Sequence, residues 1–223
     1  MHAALTVLFL AGAASFAWIA ACVFITSATG LDEPVGAFVR NRSTPALTVA
    51  MKVITVFGSL SMAPALAMLA LAAIRWPSWR AFAVPLLAAS AGAGVLDQLL
   101  KHLLPRARPV PLFGIPPSGL SSFPSGHALF ALSLYGTLAW LAGLRLAGAG
   151  SRACVWAGAI LLILAIGLSR IYLGLHYATD VLAGYAAGLA WVSVVLMAAG
   201  GGRARGTGPA DAAGRATRTR EPR

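Results

Sequence analysis

Three short segments of this chain gather the residue types that hold and transfer a phosphate group. They read Lys101-HLLPRA-Arg108-Pro109, Pro124-Ser125-Gly126-His127 and Ser169-Arg170-IYLGL-His176-YAT-Asp180. Lys101, Arg108 and Arg170 bring fixed positive charge, and an arginine can engage phosphate oxygens in bidentate fashion. Pro124-Ser125-Gly126 reads as a turn into a helix. Ser125 can cap that helix, and free amides near Gly126 would face an anion with the helix dipole behind them. His176 and Asp180 are four residues apart and share a face wherever the segment is helical. A carboxylate on one imidazole nitrogen fixes the tautomer and makes the other nitrogen a better nucleophile. His127 is then available as the general acid that protonates a leaving oxygen.

The elements that position these residues are apolar. Of 223 residues, 59% are hydrophobic and only 10% are charged, against about 25% charged in an ordinary soluble domain. Mean hydropathy is +0.81. Apolar runs of roughly 18 or more residues mark candidate membrane spans. About six are present by that rule, at 4–27, 53–74, 82–100, 127–147, 153–170 and 179–199. The expected fold class is therefore all-α, a polytopic membrane bundle over residues 1–200, because helices satisfy their own backbone in lipid. A basic tail of low complexity, 201–223, is expected to be disordered and solvated.

The net charge of +11 does not call for nucleic acid. Six of the arginines lie in the tail, where anionic lipid is a sufficient partner. Arg75, Arg80, Arg145, Arg152 and the tail fall on one side of a six-span layout, which the positive-inside bias makes cytoplasmic, with both termini there. Lys101, Arg106, Arg108 and Arg170 stand on the opposite side, together with His127. Both N-terminal ends of the fourth and sixth spans then point outward, so their positive dipole ends are expected to converge on one anion. The cysteines, Cys22 and Cys154, lie inside spans and suggest neither a disulfide nor a metal cluster. Ile19-Ala20-Ala21-Cys22 superficially resembles a lipoprotein cleavage box. The run continues past Cys22, however, and no basic residue precedes it, so an uncleaved first span is expected.

The three segments, spacing included, resemble the signature of the type 2 phosphatidic acid phosphatase superfamily, K-x6-R-P, P-S-G-H and S-R-x5-H-x3-D. Lys101, Arg108, Pro109, Pro124, Ser125, Gly126, His127, Ser169, Arg170, His176 and Asp180 all match. The resemblance implies a membrane lipid phosphatase working through a phosphohistidine on His176, independent of metal and cofactor. It implies His127 as proton donor and Lys101, Arg108, Ser125, Gly126 and Arg170 as phosphate ligands. The substrate class it implies is a lipid phosphate, with undecaprenyl diphosphate, phosphatidic acid and phosphatidylglycerol phosphate sharing one anion site.

Taken singly, each motif has a plainer reading. Ser-Gly-His at a helix start is commonly a simple cap, and Pro117-Ser118-Gly119 repeats the turn without the histidine. His176 and Arg170 alone could be interfacial residues. Asp97, inside the third span, is expected to pair with Lys101 one turn away, and Ser169 is a supporting residue only. His102 receives no role, and Arg106 is either loop or head-group contact. Arg40 and Arg42 lie in a segment, GAFVRNRSTPAL, able to form an interfacial helix. Two rival functions remain: a catalytically silent lipid-phosphate carrier or scramblase, and a haloperoxidase using vanadate in the same site. Composition suggests a bacterial inner membrane with the site facing outward. Oligomeric state is not encoded in any feature of the sequence.

Overall fold

The computed structural model describes residues 2–27, 29–59, 62–116, 119 and 121–205. Eight α-helices and no strand occur among them: α1 (His2–Phe24), α2 (Asp32–Arg40), α3 (Pro45–Val56), α4 (Ala63–Arg75), α5 (Arg80–Leu103), α6 (Gly126–Gly143), α7 (Ala149–Tyr172) and α8 (Ala178–Arg205). Four stretches are long and apolar enough to cross a membrane: 2–24, 77–103, 149–172 and 178–200. The all-α membrane architecture expected from hydropathy is present. Tail residues 206–223, with Pro117 and Ser118, lie outside the described residues.

The run expected at 53–74 is divided between two helices. α3 ends at Val56 and α4 begins at Ala63. At 1.5 Å per residue, neither α3 nor α4 reaches across about 30 Å of hydrocarbon alone. α3 instead joins α2 in closing over one end of the bundle, where Val39, Met51, Tyr172, Leu173 and Leu175 are buried together. Thr44 caps α3 by accepting from the Leu47 amide at 3.2 Å, and its own amide donates to the Tyr172 hydroxyl at 3.3 Å. The segment around Arg40 and Arg42 forms the end of α2 and a short link, not one interfacial helix. Arg40 pairs with Glu33 at 2.7 Å, and Arg42 stacks 3.6 Å over the Phe38 ring.

α6 and α8 form the centre. α6 buries residues on all sides, from Ala128 and Leu129 to Leu141. Two glycines one turn apart let α8 touch it backbone to backbone. A Cβ on Gly184 would stand 2.5 Å from the Ser125 carbonyl oxygen, and one on Gly188 would stand 3.0 Å from that of Leu129. This is the small-xxx-small contact by which membrane helices pack, since lipid offers no hydrophobic drive between them. α1 uses the same device, with Gly12 against the backbone of Ala186 and Ala190. α5 is fixed by Trp191, whose indole donates to the Ala89 carbonyl at 3.0 Å and whose ring rests on Gly92.

Gly184→Val is expected to force α6 from α8 and cost about 1–3 kcal/mol or more, the range for overpacking a tight contact. Thermal unfolding in detergent, followed by tryptophan fluorescence, measures it. An unchanged midpoint would mean that the contact is not required.

Candidate active site

The chain direction gathers the chemistry at one end of the bundle. α5 and α7 finish there, with Lys101 and Arg170 in their last turns, while α6 and α8 begin there. The described residues of the 104–125 loop lie across this end. Its hydrogen bonds run to α7 and α8: the Leu112 amide to the Leu173 carbonyl at 3.1 Å, and the Ser125 amide to the Asp180 carbonyl at 2.9 Å. Phe123, fully buried before a cis Pro124, is held between Phe16 and Phe24 of α1 at ring distances of 5.8 and 5.2 Å. The loop thus takes its shape from burial of Phe123 at one point and backbone pairing at two others.

His176 sits in the turn between α7 and α8 and is 3% exposed. Its Nδ1 lies 2.7 Å from the Ser122 carbonyl oxygen. A carbonyl only accepts, so Nδ1 carries the proton and Nε2 keeps its lone pair. Nε2 faces the Arg108 guanidinium, 3.5 Å away. The sequence pattern assigned the orienting role to Asp180, but its carboxylate stands 3.6 Å from Nδ1, too far for a hydrogen bond. Asp180 instead accepts from Arg106 and from the Tyr177 amide. The Ser122 carbonyl accepts the hydrogen bond, with the Asp180 carboxylate beside it at ion-pair distance. Burial, reinforced by Arg170 and Arg108 and opposed by Asp180, pushes the His176 pKa down to about 4. At neutral pH the imidazole is uncharged and able to attack.

The cations are held differently from one another. Lys101 pairs with Asp97 at 2.8 Å, as its spacing predicts. Arg108 donates to the carbonyls of Gly119 and Leu175, each at 3.0 Å. Arg170, 5% exposed, donates to the Thr55 hydroxyl at 2.9 Å and leaves its buried Nε without a partner. Buried guanidinium N–H groups are costly unless bonded, and this one is at the site. Ser169 turns away, donating to the Ile166 carbonyl of its own helix. Ser125 holds the N-cap position of α6 but makes no capping bond, and its buried hydroxyl has no partner. Its expected use as a cap therefore does not occur, and the first-turn amides of α6 lack that acceptor.

Two carboxylates stand at the helix starts. A Cβ on Gly126 would come within 2.5 Å of Asp97 Oδ1, itself buried and unpaired. Glycine is required there because Asp97 lies against the first turn of α6. At α8, the Thr179 amide donates to Asp32 Oδ1 at 2.9 Å. The two dipole ends consequently do not converge on one anion: Asp32 stands at the start of α8 and Asp97 lies against the start of α6. Asp32, on α2, carries no sequence signal that reasoning from spacing could have used. Arg106, expected at a head group or in plain loop, is turned inward to Asp32 and Asp180.

A groove of about 1220 Å³ lies along α5 and α6 beside His127, whereas His176 borders a separate, smaller hollow with Asp32 and Arg40. Lys101, Asp97, Gly126 and His127 line the polar end of the groove, and Gly94, Val95 and Phe130 line its apolar part. His102 also lines it. Gly58, in the break between α3 and α4, packs against His127, with a Cβ position 3.4 Å from the ring.

The architecture and site define a polytopic helical membrane protein with a cationic, histidine-bearing pocket at one end of the bundle. Residues 82–201 match the PAP2 superfamily, more than half of the chain. The protein belongs to that superfamily. It is 35% identical over 98 residues to phosphatidylglycerophosphatase B of Bacillus subtilis, covering 43% of this chain and 47% of that protein. It is 33% identical over 112 residues to lipid A 1-phosphatase of Rhizobium johnstonii, covering 46% and 41%. The matched region spans about half the length of these curated relatives. The crystal structure of a Bacillus subtilis transmembrane PAP2-type phosphatidylglycerolphosphate phosphatase superposes with a TM-score of 0.72 at 28% identity, covering 86% of this chain and 93% of that one. LpxE of Aquifex aeolicus shares the fold at a TM-score of 0.58 and 24% identity, covering 75% and 95%.

Gly126→Ala is expected to displace the Asp97 carboxylate and, with it, Lys101. Since misplacement by about 1 Å can cost up to 10²-fold in rate, turnover should fall more than tenfold while the thermal midpoint changes by only a few degrees. Phosphate release and differential scanning measure the two. Unaltered turnover would remove Gly126 from the site.

Proposed function

We propose that the protein hydrolyses the terminal phosphate of a membrane lipid, with His176 as nucleophile and His127 as proton donor. The observation that carries this reading is the orientation of His176. Its Nδ1–H donates to the Ser122 carbonyl, and the lone pair of Nε2 faces the guanidinium of Arg108. A phosphoryl group docked on Arg108, Arg170, Lys101 and the start of α6 would place phosphorus before Nε2. In-line attack forms a phosphohistidine as the bond to the lipid oxygen breaks, and His127 protonates that oxygen. Water then cleaves the P–N bond, releases inorganic phosphate and restores the neutral imidazole. The clustered cations stabilise charge on the equatorial oxygens as the phosphoryl group transfers.

The groove's polar and apolar parts suit a lipid with a phosphate head and an apolar tail. Phosphatidylglycerol phosphate is the first choice, given the 35% identical relative, with phosphatidic acid and undecaprenyl diphosphate as competitors for the same pocket. The membrane domain is taken as residues 1–200. The arginine distribution supports a bacterial inner membrane, an outward-facing site and cytoplasmic termini.

The test is phosphate release by the purified protein from a panel of these three lipids. Failure with every one would refute a phosphatase and favour a silent carrier. His176→Ala should abolish release and acid-labile phosphate labelling of the protein, whereas retained labelling would move the nucleophile elsewhere. His127→Ala should impair a lipid alkoxide leaving group far more than an activated aryl one, because only the former needs a proton; equal losses would deny the acid role. The pH dependence follows from His176. Protonation removes the nucleophile, so the acid limb that belongs to His176 should lie near 4 and not near 6.5, separate from any limb that His127 adds as proton donor. An acid limb near 6.5 would show an ordinary, solvated histidine.

A further inference from the structure

The end of α3 and the break that follows it lie outside residues 82–201, yet two of their residues touch the site. Thr55, in the last turn of α3, accepts from Arg170 Nη1 at 2.9 Å, the one hydrogen bond of that guanidinium among the described residues. Gly58, three residues on, is buried. A Cβ there would collide with Ile166 of α7 and stand 3.4 Å from His127. The break is held on several sides. α3 unwinds through three successive turns, with the amides of Phe57, Gly58 and Ser59 donating to the carbonyls of Ile54, Thr55 and Val56 at 3.1–3.2 Å. Tyr135 of α6 donates to the Phe57 carbonyl at 2.9 Å. Ile54 packs on the cluster of Met51 and Tyr172 and also on that of Ile163 and Ile166.

We propose that Thr55 is a positioning residue for phosphate binding: it engages Nη1 of Arg170 and so presents the Nε–Nη2 edge of the guanidinium to the anion, while the α3–α4 break sets Thr55 at that place. This rests on the proposed role of Arg170 as a phosphate ligand. Along the Nε–Nη2 edge two N–H groups point the same way, the fork that matches two phosphate oxygens. Nη1 lies off that edge, so Thr55 holds the group without competing for it. Nε is buried and has no partner, an arrangement that a folded protein rarely tolerates and that a phosphate oxygen would relieve. A hydroxyl suits the task because it is neutral; a carboxylate in its place would orient the guanidinium and cancel its charge together. The Arg170 carbonyl accepts from the amides of Leu175 and His176 at 3.0 and 3.3 Å. One residue therefore fixes both the donor edge, through its side chain, and the turn that carries the nucleophile, through its backbone.

A plain docking contact between α3 and α7 is the alternative, and Thr48 supplies the control. It lies two turns back on α3 and shares a hydrogen bond of 2.8 Å with the Tyr172 hydroxyl of α7. Two readouts apply to the full-length protein in detergent. One is the KM for the lipid phosphate with the inhibition constant of inorganic phosphate. The other is the rise in thermal midpoint that inorganic phosphate produces, which needs no turnover. Thr55→Val should raise KM and the inhibition constant by about tenfold, in keeping with one hydrogen bond to a charged group, and shrink the phosphate-dependent rise. Thr55→Ser, which keeps the hydroxyl, should restore all three. Thr48→Val should lower the midpoint without phosphate and leave the phosphate constants alone. Gly58→Ala, which pushes the break off α7 with the hydroxyl intact, should weaken phosphate as Thr55→Val does, and it carries the test if Thr55→Val does not fold. Unchanged phosphate constants in Thr55→Val, an equal rise in Thr48→Val, or no recovery in Thr55→Ser would overturn the proposal. Should the wild type release no phosphate from any lipid, the proposed function fails, while the phosphate-dependent midpoint still decides the role of Thr55. A wild type whose midpoint ignores phosphate would overturn that role too.

Discussion

The site depends on how closely α6 approaches α8. Gly184 and Gly188 bring the two backbones into contact, and at the end of that contact the Ser125 amide donates to the Asp180 carbonyl at 2.9 Å. That bond fastens the Pro-Ser-Gly-His turn to the segment that ends in Asp180. Ser122, three residues upstream, is thereby brought to His176, and His127, two residues downstream, reaches the groove wall. In lipid, where helices gain little by hiding apolar surface from each other, such precision has to come from backbone proximity and hydrogen bonds. A wider separation would leave the same residues in the chain without a common site.

Charge is distributed on the same principle. Lys101 has Asp97, and Arg106 has both Asp32 and Asp180. Among the described hydrogen bonds, Arg108 reaches the Gly119 and Leu175 carbonyls and the Nε2 edge of His176, and Arg170 reaches the Thr55 hydroxyl. Positive potential is thus concentrated beside His176 Nε2, where an anion would benefit from it. The carboxylates elsewhere limit the repulsion that gathering four cations in a half-buried pocket would create.

Much of this was legible in the sequence, and the exceptions have physical causes. Hydropathy revealed the bundle because a lipid-crossing helix must be apolar throughout. Spacing placed Lys101 against Asp97 because one helical turn determines it. The break between α3 and α4 was hidden: both halves are apolar, and hydropathy does not register a stop inside an apolar run. The hydrogen-bond acceptor of His176 was missed for a different reason. The i, i+4 spacing does bring the Asp180 carboxylate to 3.6 Å from Nδ1, but the nearer acceptor is a backbone group. The carbonyl of Ser122 has no side-chain signature at all. Asp32 was invisible because it is close to Asp180 in space and 148 positions away in sequence.

The groove beside α5 sets how a ligand would come to the pocket. Val95, 70% exposed, stands at its wall, among small neighbours that leave the gap between helices open. On the proposed function, a mouth on this apolar stretch of α5 would let a lipid enter sideways from its own leaflet without leaving the membrane. For such an encounter, the concentration that governs occupancy is the number of lipids per unit of membrane area. Dilution of the suspension would leave it unchanged, and dilution of the ligand among other lipids would not.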